Sequence, residues 1–510
     1  MALGRAHTTA LSGVTARPVT IEANIGPGLP GIHVVGLGDT AVSESRDRIR
    51  TAVANAQLEW PKTKIVVSLS PASLPKAGSH FDLPMALAVL AARQPEVGQR
   101  LSSTLVLGEL GLDGSVRPVP GILPALLTAR AEGYRCAVIP PGNAAEATLI
   151  DDLEVLVAGS LADAWEWGTG ESDLPGAADI VQDAPAALRR RPDFADLAGQ
   201  EDARFAAEVA AAGGHHMLMI GPPGSGKSMI AARLPGLLPP LSTDQAVEAT
   251  AVHSVAGPNG MPGGVVRHAP FVAPHHSVTR AALLGGGAGV PRPGAVSLAH
   301  HGVLFLDEAS EIPAATLDGL RTPLEDGQVR LVRARREVIF PARIQLVLAA
   351  NPCRCAAEEP SACRCTVRQR TTYLNNLSGP LRDRLDIGVR TSARNAVLGT
   401  AGAESTAVIA ERVAAARQRA AHRWWGHGFP AATNAAMDPH QLRRHHPADE
   451  AAMALLGAYL ADGVLSQRGV DRALKLAWTI CDLAGGTRPD LAHVARAIDL
   501  RGSTTLREAA

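Results

Sequence analysis

The chain has 510 residues, room for about three domains, and its 46% hydrophobic content is enough for packed cores. Its 49 Lys and Arg balance 49 Asp and Glu, which excludes a globally basic nucleic-acid binder and makes any such site local. Aromatics at 3% exclude extensive base stacking, no apolar run reaches the about 18 residues of a membrane span, and the first twenty residues lack the apolar centre of a secretory signal; the expectation is a cytoplasmic protein with no membrane partner. Residues 1–170 read as an α+β unit. Residues 19–25 alternate like a strand, 26–31 form a Gly-Pro turn and 32–35 a second strand. Residues 44–56 have helical periodicity with Arg46, Arg48 and Arg50 on the polar side. Then come a strand at 65–69, a helix at 83–92, a strand at 104–109, a helix at 123–132 and a strand at 135–140. Residues 171–192, rich in Ala, Pro and Asp and carrying Arg189, Arg190 and Arg191, read as a linker.

Within the first unit, Pro75-Lys76-Ala77-Gly78, Gly108-Glu109-Leu110, Gly114, Arg117-Pro118-Val119 and Gly121 resemble the proteolytic, S5-type domain of Lon proteases. That family uses a Ser-Lys dyad. The resemblance sets His80 at the serine position and Leu123 at the lysine position, and leucine cannot activate a nucleophile. Ser79 is one residue off and has no lysine partner by this match. The expectation is a Lon-like fold without the catalytic dyad, with a structural or oligomerising role.

Residues 193–395 read as an α/β phosphate-loop ATPase core. After a helix from 201 to 212, the apolar run 216–220 reads as a buried strand. It leads into Gly221-Pro222-Pro223-Gly224-Ser225-Gly226-Lys227-Ser228, the phosphate-binding pattern, and a helix follows. Glycines let backbone N–H groups turn inward around phosphate oxygens, and the helix N-terminus adds its positive end. Lys227 suits the β- and γ-phosphates and Ser228 suits Mg²⁺. Residues 253–301, rich in Gly and Pro, form a long irregular insertion more consistent with function than with decoration. It carries His275, His276, His300 and His301, but no cysteine or acidic residue sits beside them at ligand spacing, which argues against a metal site. The strand 303–306 ends in Asp307, suited to Mg²⁺, and Glu308, suited to a general base for the attacking water. A helix over 313–325 precedes a hairpin over 328–340, whose tip carries Arg330, Arg333, Arg335 and Arg336, a local basic site for DNA phosphates. The strand 344–350 ends at Asn351, placed to orient water as sensor 1.

The loop 353–365 holds Cys353, Cys355, Cys363 and Cys365, two Cys-x-Cys pairs. Four thiolates complete a tetrahedral Zn²⁺ site, and in a reducing compartment a structural metal is favoured over disulfides.

Leu377-Ser378-Gly379-Pro380-Leu381-Arg382-Asp383-Arg384-Leu385-Asp386 is similar to the arginine-finger segment of the magnesium-chelatase and MCM branch of AAA+ ATPases. By that match Arg384 is a finger supplied to a neighbour's γ-phosphate. Residues 396–510, helical over 406–423, 449–459, 467–484 and 491–500, resemble the all-α lid, with Arg468 at the sensor 2 position. End to end the chain resembles the ComM/YifB family of magnesium-chelatase-like AAA+ proteins. That resemblance implies ATP and Mg²⁺ as cofactors and a homo-hexameric helicase that migrates branches of recombining DNA, as in natural transformation. The sequence leaves two other readings open: a chelatase-type motor that remodels a protein partner, and an ATP-dependent protease, which His80 and Leu123 disfavour.

Overall fold

The computed structural model describes residues 2–36, 38–182, 192–257, 264–287, 290–333, 336–358, 360–392, 403–429 and 433–502. The N-terminal part is a seven-stranded sheet in the order Gly31–Val35, Lys64–Ser70, Thr15–Gly26, Ala2–Ser12, Thr104–Val106, Cys136–Ile139 and Glu154–Val157. Its spine is a long antiparallel hairpin in register from Ala2 opposite Ile25 to Ser12 opposite Thr15. The first arm has no counterpart in the sequence reading. Its inward residues, Ala6, Thr8 and Ala10, are fully or almost fully buried, yet they are too small or too polar to read as an apolar strand. Small residues are required there. The helix Asp82–Ala91, buried along its whole length, lies so close that a Cβ on Gly4 would sit 2.0 Å from Ala88 O.

The second part is a five-stranded, all-parallel sheet in the order Phe271–Val272, Val303–Leu306, Gln345–Ala350, Met217–Ile220 and Ile387–Arg390. The last four strands are buried along almost their whole length and mostly apolar, because helices and loops cover both faces. The helices Thr406–Gly426, Pro439–His445, Glu450–Ala461, Gln467–Leu483 and Leu491–Gly502 follow. Trp424, Leu474 and Trp478 share one apolar core with Met217, Met219 and Val347 of the sheet. A buried polar chain fastens this junction. Asp386 takes His215 Nδ1 (3.2 Å) and Arg472 Nη1 (2.5 Å), His215 Nε2 meets Thr479 Oγ1 (2.8 Å), and Arg423 pairs with Asp482 (2.6 Å). Burial would raise the Asp386 carboxyl, but the His215 hydrogen bond and the Arg472 charge outweigh it and hold the carboxyl far below its ordinary range.

Two local expectations change. The stretch expected as linker is folded over its first half: the helix Ala177–Gln182 packs on Ala144–Ala147, anchored by Ala177, Ile180 and Val181. Residues 183–191, with the three arginines, lie outside the described residues. The single helix expected over 313–325 is three pieces, Ala314–Leu317, Asp318–Leu320 and Arg321–Asp326. Gly319 lets Leu284 approach where a Cβ would stand 2.7 Å from its Cδ1, and Pro323 withdraws an amide donor.

The two parts also meet directly. The turn between the first two strands passes under the antiparallel hairpin Gln328–Arg333 and Arg336–Pro341. Gly13, at φ +65°, lies where a Cβ would be 2.8 Å from Val338 Cγ1, and Val14 packs against the buried cluster of Val255, Val338 and Phe340.

Candidate nucleotide site and cysteine cluster

Strand Met217–Ile220 ends at the glycine-rich loop, and helix Lys227–Leu237 begins at its last lysine. Gly224 and Gly226 adopt φ +77° and +85°. The left-handed turn at these positions points successive amides inward, as an anion-binding nest requires. The loop is fixed at both ends. Gly221 N donates to Ala350 O (3.1 Å). Ser225 Oγ lies 2.6 Å from Thr391 Oγ1 and donates to Pro222 O (2.8 Å). Thr391 is absent from the sequence reading. Its signal is its position, directly after Ile387–Arg390, the strand paired with Met217–Ile220.

Lys227 Nζ donates to Gly221 O (2.7 Å) and Pro222 O (2.8 Å) and lies 3.4 Å from Asn351 Oδ1. Burial lowers its pKa, opposed by the charges of Asp307 and Glu308. Ser228 Oγ donates to Asp307 Oδ2 (2.7 Å), and Glu308 N donates to Asp307 Oδ1 (2.9 Å). A hydroxyl and a carboxylate side by side are the hard oxygen donors that Mg²⁺ takes. Residues from three adjacent strand ends therefore converge on one place: the phosphate loop, Asp307 with Glu308, and Asn351. This arrangement can hold a nucleoside triphosphate with its metal and present a carboxylate to water.

The two arginines lie elsewhere. Arg384 pairs with Glu325, donates to Pro380 O (2.7 Å), and its side chain is only 12% exposed. Arg468 is exposed on the first turn of Gln467–Leu483 and its side chain has no hydrogen bond or ion pair among the described residues. Neither makes a hydrogen bond or ion pair with the phosphate loop among the described residues. In the basic hairpin, Arg330 is exposed and lies 3.4 Å from Glu337. Arg330 lines a cavity of about 420 Å³ with Arg280 and Gln328. Arg333 and Arg336 are described in backbone only, and Arg335 lies outside the described residues.

The four cysteines of 353–365 come together, with Sγ separations of 3.3 Å (353–355), 3.5 Å (353–363) and 3.6 Å (355–363), and Cys365 in the same group. Tetrahedral Zn–S bonds of about 2.3 Å place sulfurs about 3.8 Å apart, so the set fits zinc. Amide N–H groups of Ala357 and Arg364 lower the Cys355 thiol to about 6.

The histidines separate into two pairs. His300 Nε2 and His301 Nε2 both reach Glu248 Oε2 (3.0 and 2.8 Å), an acid the sequence spacing could not supply because it is on the helix Thr243–Ala256. His300 Nδ1 accepts the Arg343 amide (3.0 Å), so Nε2 carries the proton and donates to Glu248. The His300 Nδ1 lone pair is thus committed, and among the described residues Glu248, His300 and His301 form a hydrogen-bonded clamp whose ligand atoms lie within 4.8 Å of one another.

In the N-terminal part, His80 is buried with Nε2 donating to Thr9 O (2.9 Å), and burial lowers its pKa to about 4. Leu123 N donates to Glu146 Oε2 (3.0 Å). Ser79 Oγ donates to Glu109. Lys76 is buried and donates to Leu69 O (3.0 Å) and Pro71 O.

Three family models match the chain: magnesium chelatase, subunit ChlI, over residues 193–397; subunit ChlI of Mg-chelatase over 21–143; and the ChlI C-terminal model over 403–501. A Mycobacterium tuberculosis protein, Rv2897c, is 50% identical over 98% of this chain and 99% of its own. YifB of Escherichia coli is 40% identical over 98% and 97%, and competence protein ComM of Haemophilus influenzae is 37% identical over 99% of each. Likeness to Lon is partial: Lon protease 2 of Bacillus subtilis is 32% identical over 158 residues, 29% of this chain and 28% of that protein. No described helix is long and apolar enough to cross a membrane. With matches that run nearly end to end through both sheets and the helical C-terminal part, the chain belongs to the ComM/YifB family of magnesium-chelatase-like proteins.

Proposed function

We propose that this chain is an ATP-hydrolysing ring motor that acts on DNA, with branch migration in recombination or natural transformation as its task. The family supports ATPase-type function with ATP and Mg²⁺. The name of ComM points to competence. Ser228 and Asp307 hold the metal, Lys227 and the loop amides hold the phosphates, and Glu308 takes the proton of the attacking water, oriented by Asn351. Mg²⁺ held by Ser228 and Asp307 would supply positive charge against the charge that develops on the transferred phosphoryl group. Arg384 acts on a neighbouring subunit's nucleotide in a homo-hexamer, and Arg468 closes on the γ-phosphate from the helical part. Zn²⁺ in the cysteine cluster stabilises the loop behind Asn351.

The observation that carries the DNA reading is the hairpin Gln328–Pro341. It leads within four residues into the strand Gln345–Ala350, whose end holds Asn351 at the nucleotide site. In a ring, six such hairpins with Arg330, Arg333, Arg335 and Arg336 would line the pore with positive charge. Each phosphate contact releases counterions, so binding weakens steeply with salt, and sequence preference is slight. The test is fluorescence anisotropy on forked DNA at two salt concentrations, beside ATPase rates. Arg333→Ala with Arg335→Ala keeps basal ATPase but loses DNA stimulation and unwinding. Unchanged affinity and stimulation in that double variant would remove the hairpin as the DNA site.

A further inference from the structure

The segment that carries Arg384 rests on the chain between Glu308 and the basic hairpin. Side-chain hydrogen bonds fasten the two at successive points. Asn376 Nδ2 donates to Ser310 O (2.7 Å), Ser378 Oγ donates to Asp318 Oδ1 (2.6 Å), and Arg384 Nη2 donates to Glu325. Leu377, Leu381 and Leu385, all fully buried, close the underside in one apolar cluster with Leu317 and Leu320. The last of these bonds lies at the foot of the hairpin. Glu325 is on Arg321–Asp326, which stops at Gly327 with φ +65°. Gly327 O accepts the amide of Ala342 (2.7 Å), the residue directly after strand Arg336–Pro341. Both feet of the hairpin therefore meet at Gly327, close to Glu325, and a tilt of the hairpin carries that carboxylate along.

Arg384 is folded back against its own chain. Its Nη1 donates to Pro380 O (2.7 Å), its Nη2 goes to Glu325, and its Nε is buried without a hydrogen-bond partner among the described residues. A buried donor left unmade carries a free-energy penalty, so this conformer is a resting position that persists while the carboxylate holds it. With so little of its side chain exposed, Arg384 has to leave this place before it can reach a phosphate on another subunit. The Glu325 side chain is 58% exposed and has no other hydrogen bond or ion pair among the described residues. An ion pair this open to water is weak and easily parted.

We infer that Glu325 is a latch on Arg384. It keeps the guanidinium folded in, and displacement of the hairpin by a nucleic-acid strand draws the carboxylate away and frees the arginine for the neighbouring nucleotide. This rests on the reading of Arg384 as a finger supplied to a neighbour. The latch joins the hairpin that grips DNA to the group that completes the ATP site. Glu325 makes no hydrogen bond or ion pair with residues 221–228 among the described residues, so it acts on turnover through the arginine and leaves nucleotide affinity alone.

The experiment measures steady-state ATPase with and without forked DNA, and the Kd for a fluorescent ATP analogue, in the full chain. The variants are Glu325→Gln, Glu325→Asp, Arg384→Ala, and Glu325→Gln combined with Arg384→Ala. Glu325→Gln raises the DNA-free kcat by about two- to fivefold, the scale of an exposed ion pair. The DNA-saturated kcat and the Kd stay as in wild type, so the stimulation ratio falls by the same factor. Glu325→Asp keeps the charge and lies closer to wild type. The double variant is as slow as Arg384→Ala. A DNA-free rate in Glu325→Gln equal to or below wild type, or a gain that persists in the double variant, would overturn the latch. A raised rate with an unchanged stimulation ratio, or a wild-type rate that DNA does not raise, would overturn its release by the hairpin. Full activity in Arg384→Ala alone would remove the finger itself, and the latch with it.

Discussion

The two sheets each carry a cleft, and the clefts differ in where their reactive groups are directed. The N-terminal cleft, about 900 Å³, is lined by Ser79, His80, Glu109, Glu146 and, from the other part, His253 and Arg292. Its polar groups satisfy the fold: His80 is tied to Thr9, Glu146 to the Leu123 amide, Ser79 to Glu109. At the nucleotide site, Lys227, Ser228, Asp307, Glu308 and Asn351 reach one another from three strand ends. The shape of a cleft is set by the sheet that carries it. Chemistry requires polar groups left over once the backbone is satisfied.

The widest separation between the two comes from paired substitutions. Lys227→Ala loses nucleotide binding and turnover, because the phosphates lose their cation. Ser79→Ala changes neither, and casein is not degraded by either protein; proteolysis that Ser79→Ala abolished would place chemistry in the N-terminal cleft after all.

Next in size is Arg384→Ala. Nucleotide binding persists and ATPase falls by about 10³-fold, as in other finger systems. Mixed with Lys227→Ala it recovers part of the rate, at interfaces that join an intact loop to an intact finger. An active monomer at every concentration would confine the site to one chain and remove the ring.

Smaller effects concern the metal and pH. Protein purified without chelators carries about one zinc per chain, and Cys363→Ser lowers that content and the Tm; metal analysis finding none would sink the zinc assignment. Burial holds His80 and His300 neutral, with pKa values near 4 in the fold against 6.5 in the unfolded chain. The unfolded state therefore binds more protons between these values. The stabilisation is complete above about pH 6.5 and is lost as pH falls toward about 4. Calorimetry should give a Tm lower by more than about 5 °C at about pH 5 than at about pH 7.5. Because the two histidines lie one in each part, separate transitions would report which part yields first.

The phosphate loop was legible because Gly221 to Ser228 is one local pattern between an apolar strand and a helix. Asp307, Glu308 and Asn351 were legible as strand ends. Thr391 and Glu248 were not: each meets a partner 52 to 166 residues away in sequence, through register or crossing helices that no local pattern encodes. The first strand was missed for a related reason. Ala6, Thr8 and Ala10 are chosen to admit the helix Asp82–Ala91, so close packing erased the apolar signature on which a strand is recognised.

The turn at Gly13 and Val14, wedged under Val338 and Phe340, makes the basic hairpin a loaded beam. If strand Arg336–Pro341 tilts, either the turn travels with it and swings the rigid N-terminal hairpin through 2–26 as a counterweight, or it stays and bares Val338, Phe340 and Val14 to water at about 25 cal/mol per Å². The first course makes the seven-stranded sheet an outboard indicator of hairpin position. The second makes it a brake whose stiffness is that apolar contact. A fluorophore pair spanning Ser12 and a helical C-terminal position would read which of the two occurs as nucleotide is turned over.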